Sequence, residues 1–267
     1  MGESSGKGWA IVTGASAGMG LAFARECVRR GHRVLAVARR HDRLEALAEA
    51  AAAEGGSIVP LAADLGTAEG LTLVVARMAG LGPIDLLVNN AGIATSGDFQ
   101  RSSLEQELSA IRVNVNAVVT LTHAVLGAML PRRSGSIINP ASVVAFQPFP
   151  HFAVYAASKA FVLSFTEALA EETKGSGVRI LALCPGAAQT EMHVFSHNEG
   201  LLGKLPSLSA DDIVRTALRA LEGKRVVKMV GWLNGMLVFL NRFMPRATVR
   251  WMMGGIAKPP SHPATLL

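Results

Sequence analysis

Long apolar runs, cysteine, tyrosine and, from Gly223 to the end, negative charge are all scarce in this sequence. No stretch approaches the ~18 uninterrupted apolar residues needed to cross a bilayer, which argues against an ordinary transmembrane protein. The residues from Met1 to Gly8 are polar and lack the apolar segment of a secretory leader. Two cysteines, Cys27 and Cys184, make no disulfide framework, and without a CxxC pair no metal site is expected. Charged residues are only 17% of the chain. Half of it is apolar, and counting glycine the share rises to about 60% against a usual 45–50%. Such a chain buries more than enough apolar surface to offset its ordering, so intrinsic disorder is excluded. These traits together predict a soluble, cytoplasmic globular protein.

The net charge of +6 does not imply a nucleic-acid partner. Seven of the 26 basic residues lie between Gly223 and Leu267, where Asp and Glu are absent. The rest of the chain carries 19 basic and 20 acidic side chains. The basic character belongs to the tail, and aromatics at 5% leave little to stack on bases.

Short apolar runs of strand length recur at Trp9–Thr13, Arg33–Ala38, Ser57–Leu61, Ile84–Val88, Ser136–Ile138 and Val178–Leu183. Helical stretches separate them, among them Leu21–Arg30, His41–Glu54 and Phe152–Thr173. This alternation predicts an α/β fold: a doubly wound, Rossmann-type parallel sheet with helices on both faces, in a single domain. No repeat or linker interrupts the chain before about residue 223. Residues 1–230 read as the main α/β domain and 231–267 as a basic, apolar C-terminal helical extension.

The first strand ends in Thr13-Gly14-Ala15-Ser16-Ala17-Gly18-Met19-Gly20 and a helix follows. Glycines there allow a sharp turn and close approach to a pyrophosphate at the positive end of the helix. A plain tight turn is the alternative, and the TGxxxGxG spacing is neither GxGxxG nor a P-loop. The second strand ends in Ala38-Arg39-Arg40, where NAD sites usually carry a carboxylate for the ribose hydroxyls. Guanidinium groups there suit a 2′-phosphate, so the cofactor is read as NADP(H), with a solvated basic loop as the alternative.

Tyr155, the only tyrosine, stands four residues before Lys159 in a helical run, which puts both on one face. A free phenol titrates near pH 10, and an adjacent ammonium favours its ionised form. Ser142 lies just beyond a strand, and Asn89-Asn90-Ala91-Gly92 lies at the end of another. Asn114 is a polar residue within an apolar helical stretch and needs a partner.

These motifs, in this order and spacing, resemble the short-chain dehydrogenase/reductase family in its compact one-domain branch. The likeness runs from Lys7 to about Val230 and takes in Pro185-Gly186 with Thr190. It implies an oxidoreductase that transfers hydride between NADP(H) and a carbonyl or secondary alcohol. In that reading Tyr155 is the general acid or base, Ser142 binds the substrate oxygen, and Lys159 holds the nicotinamide ribose and lowers the Tyr155 pKa. Asn114 positions a relay water. Gly14, Ser16, Ala17, Gly18, Met19 and Gly20 wrap the pyrophosphate, with Arg39, helped by Arg40, at the 2′-phosphate. Asp64 and Leu65 meet the adenine. Asn90, Ala91 and Gly92 pack along the adenosine half, and Pro185, Gly186 and Thr190 hold the nicotinamide. One departure is Pro140, where the family commonly has a small or branched residue.

The same likeness makes residues 191–208 a lid over the substrate. Phe195, Leu201 and Leu202 there, with Val143, Val144, Phe146, Phe149 and Phe152, suggest apolar walls and a hydrophobic small-molecule substrate. His193 and His197 read as loop histidines, because no third ligand accompanies them. The alternative function is a non-catalytic NADP(H) sensor on the same fold; such proteins typically lose the tyrosine or lysine. The apolar Phe152–Thr173 helix predicts a homo-oligomer, a dimer or tetramer. The tail, split by Pro245 into two helices, fits a lid, a subunit interface or a segment on an anionic membrane surface.

Overall fold

The computed structural model describes residues 7–186, 208–257 and 265–266. The chain starts at the centre of its sheet and works outward twice. β1 (Trp9–Thr13), β2 (Arg33–Ala38) and β3 (Ile58–Ala62) step to one side through α1 (Gly18–Arg29) and α2 (His41–Ala53). α3 (Ala68–Ala79) brings the chain back, and β4 (Ile84–Val88) pairs with the other edge of β1. The two-residue β5 (Ala94–Thr95), α4 (Leu104–Ile111) and α5 (Ala117–Arg132) lead to β6 (Gly135–Pro140). α6 (Ala153–Glu172) leads to β7 (Val178–Cys184), and α7 (Ala210–Glu222) to β8 (Val227–Met229). α8 (Trp232–Asn241), α9 (Arg246–Ile256) and β9 (Thr265–Leu266) follow, with β9 antiparallel to β5.

The main sheet has the order β3-β2-β1-β4-β6-β7-β8, and every pairing is parallel. This is the expected doubly wound α/β sheet of Rossmann type in one domain. The order reverses between β1 and β4, and open α/β sheets bind ligands in the crevice at that point.

Alternation along β1 explains why both faces are filled. Ala10 and Val12 join Phe23, Cys27, Leu44 and Ile213 beneath α1, α2 and α7. Ile11 joins Val74, Leu121, Val125 and Met129 beneath α3 and α5. Each large side chain taken fully from water stabilises the fold by about 1.5–3 kcal/mol. Side chains also start the helices: Thr67 Oγ1 accepts from the Gly70 N–H at 3.0 Å, and Ser209 Oγ from the Asp212 N–H at 3.1 Å.

From Leu104 to Arg132 the chain is one continuous helical stretch, long and apolar enough by length and composition to cross a membrane. Its Leu121, Val125 and Met129 are each 1% exposed and pack against the sheet, as a core helix does. Several bounds shift by a residue or more from the sequence reading, and three differences stand out. α1 begins at Gly18, so the glycine turn runs straight into the helix; β6 continues through Pro140; and β8, only three residues long, gave no apolar pattern to detect. Pro245 does divide the tail, standing just before α9.

Candidate active site

The ends of β1, β4, β6 and β7 bring the motif residues to one edge of the sheet. Gly14 follows β1 with φ +66°. A Cβ there would sit 2.8 Å from the Asn90 amide nitrogen and 3.0 Å from the Ala91 Cα. A Cβ on Gly20 would collide with the Gly14 carbonyl oxygen, so helix α1 and the turn can touch only with glycine at this position. Thr13 ties the turn to the β4 loop: its hydroxyl donates to the Val88 carbonyl at 3.2 Å and accepts from the Ala91 N–H at 2.9 Å. Asn90 Nδ2 donates to the Thr13 carbonyl at 3.1 Å. The result is a backbone-lined cradle at the N-terminus of α1, which suits the pyrophosphate of a dinucleotide.

At the end of β2, Arg40 reaches into this cradle, its Nε and Nη2 donating to Ser16 Oγ at 3.2 and 3.1 Å. Arg39 is exposed beside it. Asp64, after β3, accepts from the Gly66 N–H at 2.8 Å, and Leu65 is buried next to it. The donor set at this end, two guanidiniums and a hydroxyl, fits a phosphate-bearing ribose.

On the other side of the crevice Tyr155, Lys159, Ser142 and Asn114 are all buried. Ser142 closes β6 and opens the turn Val143–Phe146, accepting from the Val144 N–H at 3.3 Å. Its hydroxyl is near enough to the Tyr155 phenol to favour the ionised form of that ring. Lys159 Nζ donates to the Pro140 carbonyl at 2.8 Å and lies 5.8 Å from the centre of the Tyr155 ring. Asn114 sits in a π-helical turn, Arg112–Asn116, between α4 and α5, a distortion frequent at functional sites. Its side-chain amide clamps Ile93, Oδ1 accepting from the N–H and Nδ2 donating to the carbonyl, both at 2.8 Å. Nδ2 also donates to Ser158 Oγ at 3.0 Å. A Cβ on Gly92 would stand 3.3 Å from Asn114 Oδ1 and 3.8 Å from Lys159 Nζ, so the β4 loop runs directly over both.

Burial governs the titration of this site. It pushes the Tyr155 phenol up to about 12, the neighbouring Ser142 hydroxyl opposing it. It pushes Lys159 down to about 8. The sequence reading had the ammonium lowering the phenol. In the structure the ammonium is engaged by the Pro140 carbonyl, and loss of water dominates both groups. Burial also raises both thiols, Cys27 and Cys184, to about 12, so neither is a ready nucleophile.

Residues 8–199 match the family model for short chain dehydrogenase. The chain belongs to the short-chain dehydrogenase/reductase family. Members are NAD(P)-dependent oxidoreductases acting on CH–OH and C=O groups. A short chain dehydrogenase of Pseudocercospora fijiensis is 42% identical over 194 residues, which are 72% of this chain and 62% of that protein. The chain thus spans less than two-thirds of that relative's length. The solved structure of a short-chain dehydrogenase from Sphingobium yanoikuyae in complex with NADPH is 32% identical. The match has a TM-score of 0.79 and covers 90% of this chain and 97% of that one. A bulky-bulky ketone specific alcohol dehydrogenase from Comamonas testosteroni superposes with a TM-score of 0.78 at 28% identity, over 97% and 98% of the two chains.

Pro185 and Gly186 follow β7 as expected, whereas Thr190 and residues 191–207 of the expected lid, with both histidines, lie outside the described residues. Val144, Phe149 and Phe152 cluster with Tyr155 and with Ala257 just past α9, the two phenyl rings meeting edge-on at 5.4 Å. Pro140 is tolerated because of its side of the strand. The next N–H, of Ala141, bonds β7, so the missing donor faces β4, whose ladder ends at Val88 paired with Ile138. Sequence reasoning passed over a buried amide chain: Asn89 Nδ2 donates to Asn139 Oδ1 at 2.8 Å, and Asn139 Nδ2 to Thr166 Oγ1 at 3.0 Å. It fastens β4, β6 and α6 behind the site. Polar residues within the apolar strand β6 and the apolar helix α6 were the available signal. Among the described residues no three His, Cys, Asp or Glu side chains gather as metal ligands would.

Proposed function

We propose that this protein transfers hydride between NADP(H) and a hydrophobic carbonyl compound or its secondary alcohol. The observation that carries the reading is the joint burial of Ser142, Tyr155 and Lys159 in one crevice, the Ser142 hydroxyl beside the phenol and Lys159 one helical turn on. When bound, the nicotinamide supplies or accepts the hydride. Tyr155 Oη gives its proton to the substrate oxygen during reduction and takes it back during oxidation. A phenol held near 12 is protonated at neutral pH, which suits the acid role. Ser142 donates to the same oxygen and stabilises its developing charge. Lys159 supplies a cation one turn from the phenol, within the same buried space, and holds the ribose. Asn114, fixed by Ile93 and Ser158, positions a water for the proton relay.

Arg40 with Ser16, assisted by Arg39, reads the 2′-phosphate, and the NADPH bound to the Sphingobium enzyme agrees with that preference. Asp64 and Leu65 flank the adenine; Asn90, Ala91 and Gly92 line the adenosine half; Pro185, Gly186 and Thr190 face the nicotinamide. The apolar cluster of Val144, Phe149 and Phe152 beside Tyr155 favours a substrate without charge. A bulky ketone is in keeping with the specificity named for the Comamonas enzyme. We assign the chain to the cytoplasm and to a homo-oligomer assembled through α6, whose Phe161 is 40% exposed.

The test is NADPH absorbance followed with a panel of apolar ketones and aldehydes. Consumption that depends on the ketone is expected. Tight NADPH binding with no consumption across the panel would replace the enzyme by a cofactor sensor.

A further inference from the structure

Helix α8 is inside out. A surface helix of a water-soluble domain turns its apolar stripe to the core and its polar residues to solvent. Here Asn234 and Asn241 face the protein, the first donating to the Val230 carbonyl at 2.8 Å and the second to Gln147 Oε1 at 3.1 Å. The outward side carries Trp232, Leu237 and Phe239, which are 75%, 52% and 61% exposed. Phe243, one turn past Phe239 and packed edge-on against it at 5.1 Å, is 72% exposed. Trp251 on α9 is 79% exposed. At roughly 150–250 Å² per aromatic side chain, these groups alone present on the order of 500 Å² of apolar surface. That equals the largest patch of a typical monomer before the leucines are added.

The charge along this segment of the chain has one sign. Arg242, at the end of α8, and Arg246 and Arg250, in α9, are exposed, and the sequence from Gly223 onward holds no Asp or Glu. A twofold contact between two copies of this face would set unneutralised basic segments against each other. An anionic lipid surface meets both features, taking the aromatic side chains at the headgroup boundary and the guanidiniums at the phosphates. Ten residues rise only about 15 Å, half a bilayer core, so the helix lies in the interface and does not span it.

We propose that the outer face of α8, with Phe243 and the start of α9, is a docking surface for anionic membrane. α9 itself is seated from within, Val249 and Ala257 being buried and Met253 packing on the Phe149–Phe152–Tyr155 cluster. α8 packs against β8 and the Val143–Phe146 turn that follows Ser142. Docking therefore sets the apolar side of the site next to the bilayer. The inference concerns binding alone and stands whatever reaction the site performs.

The experiment is sedimentation of the full chain with phosphatidylcholine vesicles, with and without phosphatidylserine, at low and high salt. Binding to the phosphatidylserine vesicles at low salt, weakened by high salt, is expected. Tryptophan emission should shift to the blue on binding, since Trp232 and Trp251 are exposed whereas Trp9 is already buried. The double variant Arg242→Ala/Arg246→Ala should lower the partition coefficient by about 25-fold, roughly fivefold for each charge. Trp232→Ser/Phe239→Ser should abolish binding at either salt. A full chain that stays in the supernatant with phosphatidylserine vesicles at low salt overturns the proposal. So does equal binding to both vesicle types with no effect of the arginine variant. Absence of vesicle binding together with a smaller oligomer in Trp232→Ser/Phe239→Ser would give the face to a second copy of the chain.

Discussion

Replacing Lys159 by methionine should remove activity and leave the protein at least as stable at neutral pH. Lys159 is 7% exposed, and burial lowers its pKa from 10.5 to about 8. At 1.36 kcal/mol per pH unit, keeping that ammonium charged in the folded state costs about 3 kcal/mol. Methionine fills much the same space without the charge. The loss is the donor to the Pro140 carbonyl, and an unpaired buried acceptor costs about 1–3 kcal/mol. At pH 7 the variant should therefore be more stable by about 1 kcal/mol. The pH dependence is the sharper signature. Below about pH 8 the lysine is charged in both folded and unfolded chains, and the penalty is full. Between about 8 and 10.5 the unfolded chain holds a proton that the folded one has released, so wild-type stability rises with pH. The difference between variant and wild type should fall by about 3 kcal/mol across that window. Tyr155 also titrates differently on folding, but its contribution is shared by both proteins and cancels in the difference. Urea unfolding of the cofactor-free proteins from pH 7 to 10.5 measures it. A difference that stays flat refutes the argument that desolvation dominates this site.

Three other changes test separate parts of the structure. Arg40→Ala should reduce the preference for NADPH over NADH, measured as the ratio of kcat/KM values, by roughly 10–150-fold, the worth of one charge-assisted contact; Arg39→Ala should do less, and an unchanged ratio in both means the phosphate is read elsewhere. Asn114→Ala strips Ile93 of both backbone partners and should destabilise by about 1–3 kcal/mol in thermal unfolding, so an unchanged Tm contradicts the clamp. Phe161→Asp replaces the exposed ring that stacks on Phe165 with a charge and should yield a smaller species in analytical ultracentrifugation. A wild-type monomer at micromolar concentration counts against that interface.

Much of the fold was legible because its signals are local. The apolar runs of β1, β2 and β4 are buried on both faces and so read as continuous stretches, and their bounds matched. Pro245 announced the break in the tail through its fixed backbone. β8 escaped because its three residues belong to the sheet only through pairing with β7, which is a non-local fact. At the site, residue types and spacing located Tyr155, Lys159, Ser142 and Asn114. Their electrostatics depend on what surrounds them. That Lys159 is held by a carbonyl from β6, and that Arg40 rather than Arg39 reaches Ser16, follows from side-chain direction and burial. The inverted polarity of α8 was equally hidden, since the apolar and basic residues were plain but the face they present is set by packing.

The central claim is that Tyr155 moves the proton, and Tyr155→Phe tests it most directly. The change removes one oxygen from a buried ring and leaves Lys159, Asn114 and the glycine turn in place. NADPH affinity, followed by fluorescence titration, should be nearly unchanged, while kcat for ketone reduction should fall by roughly 10²–10⁴-fold or more. A variant that turns over near the wild-type rate would take Tyr155 out of the mechanism.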